Sequence, residues 1–181
     1  KLHPAKALEA EFEAFKGLMR GDSSPPFRHV FLAERASAFI PGVDPTSART
    51  IRKVAIVGAG TMGAGIAITL AEGGFDVHIL DVNPAALERG LAHCRTIWER
   101  RMAKGQIAIE QCEALVLRVQ GVQEYEQIAD CDLVIEAVVE QMDVKKAVFA
   151  ALDKALKPGA ILATNTSTLN VDEIAEVTNR P

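Results

Sequence analysis

The chain has 181 residues and is 49% hydrophobic, enough for one sizeable core but too short for two ordinary domains, so one domain with an appendage is expected. A formal charge of −4, with acids and bases mixed along the chain, offers no basic field to phosphate backbones or anionic lipid and argues against nucleic acid and membrane as partners. No apolar run reaches the roughly 18 residues of a membrane helix, and no apolar signal core opens the sequence. Cys94, Cys112 and Cys131 form no C-x-x-C pair and read as small buried residues of a soluble protein in a reducing compartment. A first residue that is Lys1 rather than methionine suggests a piece of a longer chain.

In chain order, "AKALEAEFEAFKGLMR" (5–20) spaces Leu8, Phe12, Phe15 and Leu18 or Met19 as one helical face, stopped by Gly21. Phe27 to Ile40 repeats the pattern with Phe27, Val30, Phe31 and Phe39. "GDSSPP" between them and "PGVDPTSART" after them are turn and linker chemistry. Two such helices make no core themselves, so their apolar faces call for a cover. From Ile51 the period changes: "IRKVAIV" is followed by further strand-like runs at 76–80 (DVHIL), 115–119 (LVLRV), 132–139 (DLVIEAVV) and 160–164 (AILAT). Helical stretches separate most of them, at Gly63 to Glu72, Pro84 to about Lys104, and Asp143 to Leu156. Alternating apolar strands and helices predict an α/β domain, a doubly wound and mainly parallel sheet covered on both faces, with an N-terminal helical extension. The expected division is 1–50 and 51–181.

"VAIVGAGTMGAGIA" (54–67) carries Gly58, Gly60 and Gly63 as G-x-G-x-x-G where a strand passes into a helix. Gly58 permits the tight turn, Gly60 lets backbone approach a diphosphate, and Gly63 lets helix and strand pack closely. The helix N-terminus adds free N–H groups and a partial positive charge. Without a ligand role, the same glycines would mark only a tight turn. Asp81, at the end of the next strand, suits the adenosine ribose hydroxyls. Its charge opposes the extra phosphate of NADP by about 4 kcal/mol per unit pair at ~4 Å and effective ε ~20, and "DVNP" has no arginine to offset this. NAD is the expected cofactor. As a helix cap, Asp81 is worse placed than Asn83.

In such sheets ligands lie beyond the carboxyl ends of the strands. Glu140 follows the fourth strand and Lys145 lies in the next helix, close enough to meet a nicotinamide ribose or each other; the bland alternative is a dipole-facing acid and a surface lysine. Asn165, Thr166, Ser167 and Thr168 follow the fifth strand, either as ligand contacts or as a capping cluster before "VDEIAEV". Glu136, inside an apolar strand, is either a buried hydrogen-bonded acid supporting the loop or an edge-facing one. None of His3, His29, His78 and His93 follows a strand on the ligand side, so Ser167 has no local base. No metal-ligand spacing occurs.

Four segments in order, "VAIVGAGTMGAGIA", "ILDVNP", "DLVIEAVVE" with "VKKAVFAAL", and "ILATNTSTLNVDEIA", resemble the NAD-binding domain of L-3-hydroxyacyl-CoA dehydrogenases. "FRHVFLAERA" and "IPGVDP" resemble the end of the enoyl-CoA hydratase half, a lyase, of multifunctional fatty-acid β-oxidation enzymes. The resemblance implies a Rossmann-type fold with Gly58, Gly60, Thr61, Met62 and Gly63 at the diphosphate and Asp81 at the adenosine ribose. It puts Glu140, Lys145 and Asn165 toward the nicotinamide end. It implies Ser167, the catalytic candidate, at the substrate's 3-oxygen. Lys104 falls near coenzyme A by the same resemblance, or is a solvated helix-end lysine. The family's catalytic histidine would follow "TNRP", so the chain alone is expected to bind NAD weakly without turnover. Implied partners are an acyl-CoA substrate, the remainder of the multifunctional enzyme and, through exposed edges and apolar faces, a second copy in a homodimer. The implied location is cytoplasmic in a bacterium or peroxisomal in a eukaryote. Competing readings are a 3-hydroxyisobutyrate-type dehydrogenase and a non-catalytic nucleotide-binding module.

Overall fold

A computed structural model describes residues 3–37, 39–44, 46 and 48–180. Lys1 and Leu2 of the leader, Ala38 within the second expected helix, Pro45 and Ser47 of the linker, and the terminal Pro181 lie outside the described residues. The chain forms two compact units, Lys1–Arg49 and Thr50–Pro181.

In the first unit, helix α1 (Pro4–Arg20) opens on proline, whose missing N–H is harmless there, and ends at Gly21. Helix α2 (Ser24–Ser37) starts three residues before the expected Phe27. Pro25 and Pro26, expected to form a turn, instead occupy its first turn, where the absent amide hydrogens would have had no acceptor. Neither helix buries a residue. Phe12 and Phe31 are exposed and carry cations over their rings, Lys16 Nζ at 4.9 Å and the Arg35 guanidinium at 4.2 Å.

The second unit is built on five parallel strands, β1 (Lys53–Val57), β2 (Asp76–Leu80), β3 (Val119–Val122), β4 (Leu133–Glu136) and β5 (Ile161–Thr164), in the order β3-β2-β1-β4-β5. Strand β1 pairs with β2 on one side and β4 on the other, Val57 facing Leu80 and Glu136. Chain connections therefore run in opposite directions from β1, which opens a crevice at its carboxyl end. Helices α3 (Thr61–Glu72), α4 (Pro84–Ala103) and α5 (Ile109–Arg118) pack Ala64, Ala67, Ala71, Leu87, Cys94, Trp98 and Leu115 over Ile56, Val77 and Ile79. On the opposite face, Leu152 of α6 (Met142–Ala155) and Ile128 meet Ala55, Val57 and Val134. A short helix α7 (Val171–Ala175) is followed by Arg180, whose guanidinium binds the Asp153 carboxylate of α6 at 2.7 Å.

The doubly wound parallel sheet is as the sequence predicts, with two corrections. "LVLRV" is not a strand: residues 115–118 complete α5, and β3 begins only at Val119. The helical spacing of Cys112 and Leu115 buries one face against the core, while Leu117 faces solvent at 76% exposure, so packing outweighs the local β preference. The true strand, "VQGV", looks weak because of Gly121. A side chain there would stand 2.6 Å from Leu91 of α4, so the glycine makes room for the helix above the sheet. The fourth strand also ends at Glu136 rather than running to Val139, because the backbone leaves the sheet to form the site loop.

All three cysteines are free and buried. Burial pushes the Cys94 and Cys131 thiols up to about 11.

At the amino edge of the sheet, Asp132 accepts the Arg52 and Lys53 N–H groups at 2.9 and 3.0 Å and the Lys157 ammonium at 2.6 Å. The Lys157 bond, then the two backbone donors, hold its carboxyl well below the ordinary 3.8. A depressed carboxylate contributes stability above its unfolded pKa and loses it as pH falls through the folded one. Asp132→Asn should therefore cost about 1–2 kcal/mol at pH 7, and the gap between variant and parent should narrow as the pH falls below about 4; urea midpoints at pH 7 and pH 3 measure both, and a gap equal at the two pH values contradicts the assignment. At the opposite edge, a Cβ on Gly63 would stand 1.9 Å from the Gly58 carbonyl oxygen. Gly63→Ala should cost roughly 3 kcal/mol or more in urea unfolding, and a loss below about 0.5 kcal/mol, the scale of a neutral surface change, would show that the contact is not tight.

Candidate dinucleotide and substrate site

Four polar segments gather at the carboxyl edge, each following the end of a strand. The first is the turn from β1 into α3. Gly58 has φ +107°, a conformation open to glycine at little strain, and a Cβ there would lie 2.7 Å from the Ala137 carbonyl oxygen. Gly60 is the N-cap of α3, and the helix start leaves the Thr61, Met62 and Gly63 N–H groups without intrahelical acceptors. Gly58 and Gly63 meet protein backbone, but a Cβ on Gly60 would meet nothing within 4 Å. Open space over a row of free N–H donors fits a diphosphate, and the site therefore passes the steric test for a dinucleotide.

Asp81, just past β2, accepts from Ala59 N and Asn83 N, both at 2.9 Å. It ties the phosphate turn to the start of α4 and retains lone pairs for further donors. Asn83, rather than Asp81, caps α4, accepting from the Ala85 and Ala86 N–H groups at 3.0 and 3.2 Å. Met62 in the first turn of α3, Val82 just past β2 and Val139 just past β4 are exposed, apolar groups suited to flat heteroaromatic rings.

Beyond β4 and β5 the polar groups are joined. Glu136, wholly buried, accepts from Val138 N at 2.7 Å, from the Lys145 ammonium at 2.7 and 2.9 Å, and from the Thr164 hydroxyl at 2.6 Å. Lys145, also fully buried, lies 3.2 Å from Glu140 Oε2. Glu140 in turn accepts the Thr166 hydroxyl and, at 3.0 Å, the Ser167 N–H. The Thr166 bond first, then Ser167 and Lys145, lowers the Glu140 carboxyl to about 2. Ser167 and Asn165 are exposed, and among the described residues the Ser167 hydroxyl and the Asn165 side-chain amide hold no hydrogen bond.

Gly58, Gly60, Thr61, Met62, Gly63, Asp81, Glu140, Asn165 and Ser167 thus share one edge, whereas Lys145 lies beneath it, meeting Glu140 instead of solvent. Glu136, left open by the sequence, is the buried acid of the loop. Lys104 is not brought to this cluster: it caps the far end of α4, roughly 30 Å along the helix from Pro84 by its rise per residue. Arg89 and His93, one turn apart on α4, line a hollow of about 260 Å³ with Gly60 and Thr61. Sequence reasoning passed over both because neither follows a strand; their helical spacing opposite the phosphate turn was the available signal.

Comparison with known proteins gives the family. Residues 53–181 match the family described as 3-hydroxyacyl-CoA dehydrogenase, NAD binding domain. The glyoxysomal fatty acid beta-oxidation multifunctional protein MFP-a of Cucumis sativus is 38% identical over 96% of this chain, which spans 24% of that relative's length. A probable 3-hydroxybutyryl-CoA dehydrogenase of Bacillus subtilis is 42% identical over 72% of the chain and 46% of its own length. Among solved structures, 3-hydroxybutyryl-CoA dehydrogenase of Escherichia coli K12 superposes with a TM-score of 0.68 at 38% identity, covering 70% of this chain and 27% of that one. The match reaches from the first strand to the last described helix, and the chain belongs to the NAD-binding domain family of 3-hydroxyacyl-CoA dehydrogenases.

Proposed function

We propose that the chain holds NAD along the carboxyl edge of its sheet and serves a dehydrogenase that oxidises L-3-hydroxyacyl-CoA to 3-ketoacyl-CoA in fatty-acid β-oxidation. The observation that carries this reading is the convergence, on one edge, of the phosphate turn, Asp81 and the linked Glu140–Ser167 loop. Bound NAD would accept hydride from C3 of the substrate. Gly60 and the first amides of α3 would hold the diphosphate and Asp81 the adenosine ribose. Ser167, its N–H anchored on Glu140 and its hydroxyl free, is suited to donate to the 3-oxygen. Glu140 itself is too weak a base at neutral pH, with its carboxyl near 2, so the hydroxyl proton goes to a group other than this one. The "FRHVFLAERA" resemblance and the multifunctional relatives support a longer assembly that also hydrates enoyl-CoA.

Two titrations test the cofactor half. Asp81→Asn should weaken NADH by roughly tenfold, the scale of one charge-assisted hydrogen bond, while narrowing the preference for NADH over NADPH; an unchanged ratio in fluorescence titration counts against the ribose assignment. Gly60 and Gly65 both have room for a methyl group. Gly60→Ala should therefore fold normally yet lose about tenfold or more in NADH affinity, whereas Gly65→Ala, in mid-helix, should gain up to ~1 kcal/mol of stability with binding unchanged. Equal NADH affinity in both variants would mean that the space over Gly60 is not a diphosphate site.

A further inference from the structure

Glu136 touches no solvent and lies outside the set expected from the sequence to meet ligand, yet the contacts that anchor Asn165, Thr166 and Ser167 lead back to it. Its Oε1 takes the Val138 N–H and one contact of the Lys145 ammonium; its Oε2 takes the second Lys145 contact and the Thr164 hydroxyl. Its own carbonyl accepts the Asn165 N–H at 2.8 Å. The carboxylate is thereby satisfied on both oxygens, as a buried charge requires.

The consequence lies in the direction of the lysine. An ammonium has three protons. Glu136 fixes the Lys145 nitrogen from below at 2.7 and 2.9 Å, leaving the remaining contact to Glu140 Oε2 at 3.2 Å. Glu140 spends its other oxygen, Oε1, on the Thr166 hydroxyl and the Ser167 N–H. The chain of contacts runs from buried acid to buried base to surface acid to loop. From this we infer that Glu136 is a positioning residue for the nicotinamide and substrate half of the site. It sets the Lys145 ammonium so that Glu140 keeps one oxygen for the loop presenting Ser167 and Asn165. Without the Glu136 charge, Lys145 would be a buried cation with one partner and would draw both Glu140 oxygens toward itself, releasing Thr166 and Ser167. The inference rests on the dinucleotide reading proposed above and adds to it a residue that no ligand touches.

The test uses the full 181-residue chain with two probes, NADH and ADP-ribose, the second lacking the nicotinamide. Glu136→Gln keeps shape and removes charge. NADH affinity should fall about tenfold, the scale of one charge-assisted contact, while ADP-ribose affinity, set at β1 and β2, stays within about twofold. A second variant, Glu136→Leu with Lys145→Met, replaces the buried pair by apolar groups of similar size, which can restore stability. It should unfold in urea near the parent midpoint and, with no ammonium left to draw Glu140 from Thr166 and Ser167, bind NADH within about threefold of the parent, with ADP-ribose unaffected. Unchanged NADH affinity in Glu136→Gln overturns the inference, as does a double variant that binds NADH as weakly as Glu136→Gln, since the loss would then not come from a misdirected ammonium. Equal loss of both probes also overturns it, since the effect would not be confined to one half. Failure of the unsubstituted chain to bind either probe overturns the dinucleotide reading itself and the inference with it; binding of both by the parent leaves that reading standing whatever the variants show.

Discussion

Close backbone approach at the carboxyl edge is the constraint on which this domain is built. Gly58 passes the Ala137 carbonyl, Gly63 passes the Gly58 carbonyl, and Gly90 of α4 passes the Ala59 carbonyl, each at a distance that would bring a Cβ to within 2.7 Å of oxygen. These contacts draw β1, α3, α4 and the end of β4 to one point. The amides at the start of α3, the Asp81 carboxylate and the loop after β4 consequently face one crevice. Binding groups drawn from distant parts of the sequence become neighbours because three side chains are missing between them.

The two ends of the sheet divide the work of charge. At the amino edge, Asp132 and Lys157 join β1, β4 and the turn before β5, an arrangement that holds strand ends in register. At the carboxyl edge, the Glu136–Lys145 pair is sealed from water, and Glu140 links it to the exposed loop. Burying such a pair is costly unless every donor and acceptor is used. Here the bonds to Val138, Thr164 and Glu140 use them, so the site loop rests on a network whose inner part, Glu136 and Lys145, solvent does not screen.

Much of this was legible from residue order, for identifiable reasons. The β1–α3 turn, Asp81 and Asn83 declare themselves because each obeys a local rule: glycine where backbone crowds, an acid at a strand end, an amide at a helix cap. Strand β3 did not, since Gly121 answers to Leu91, 30 positions earlier, and no window on "VQGV" contains that partner. The helical identity of residues 115–118 was likewise decided by the core under Cys112 and Leu115 rather than by β-branched composition. Lys145 stayed open between a ligand or Glu140 contact and a surface lysine, because spacing along α6 does not reveal that Glu136, on a strand nine residues back, lies under it. Pro25 and Pro26 misled in the opposite sense: the same residues break a helix in its middle and open one at its start. Local rules were sufficient at turns and caps, and insufficient wherever a side chain's environment came from another layer.

The cysteines illustrate a further effect of tight packing. With Cys94 and Cys131 sealed under helices and their ionisation displaced to about 11, almost no thiolate exists at neutral pH to meet an electrophile or peroxide. Sulfur at these positions behaves as hydrocarbon filler, and the fold is indifferent to redox surroundings for as long as its layers stay closed. Alkylating reagents would then label the native domain no faster than its layers come apart, so each buried thiol doubles as an intrinsic clock for breathing of the helical cover.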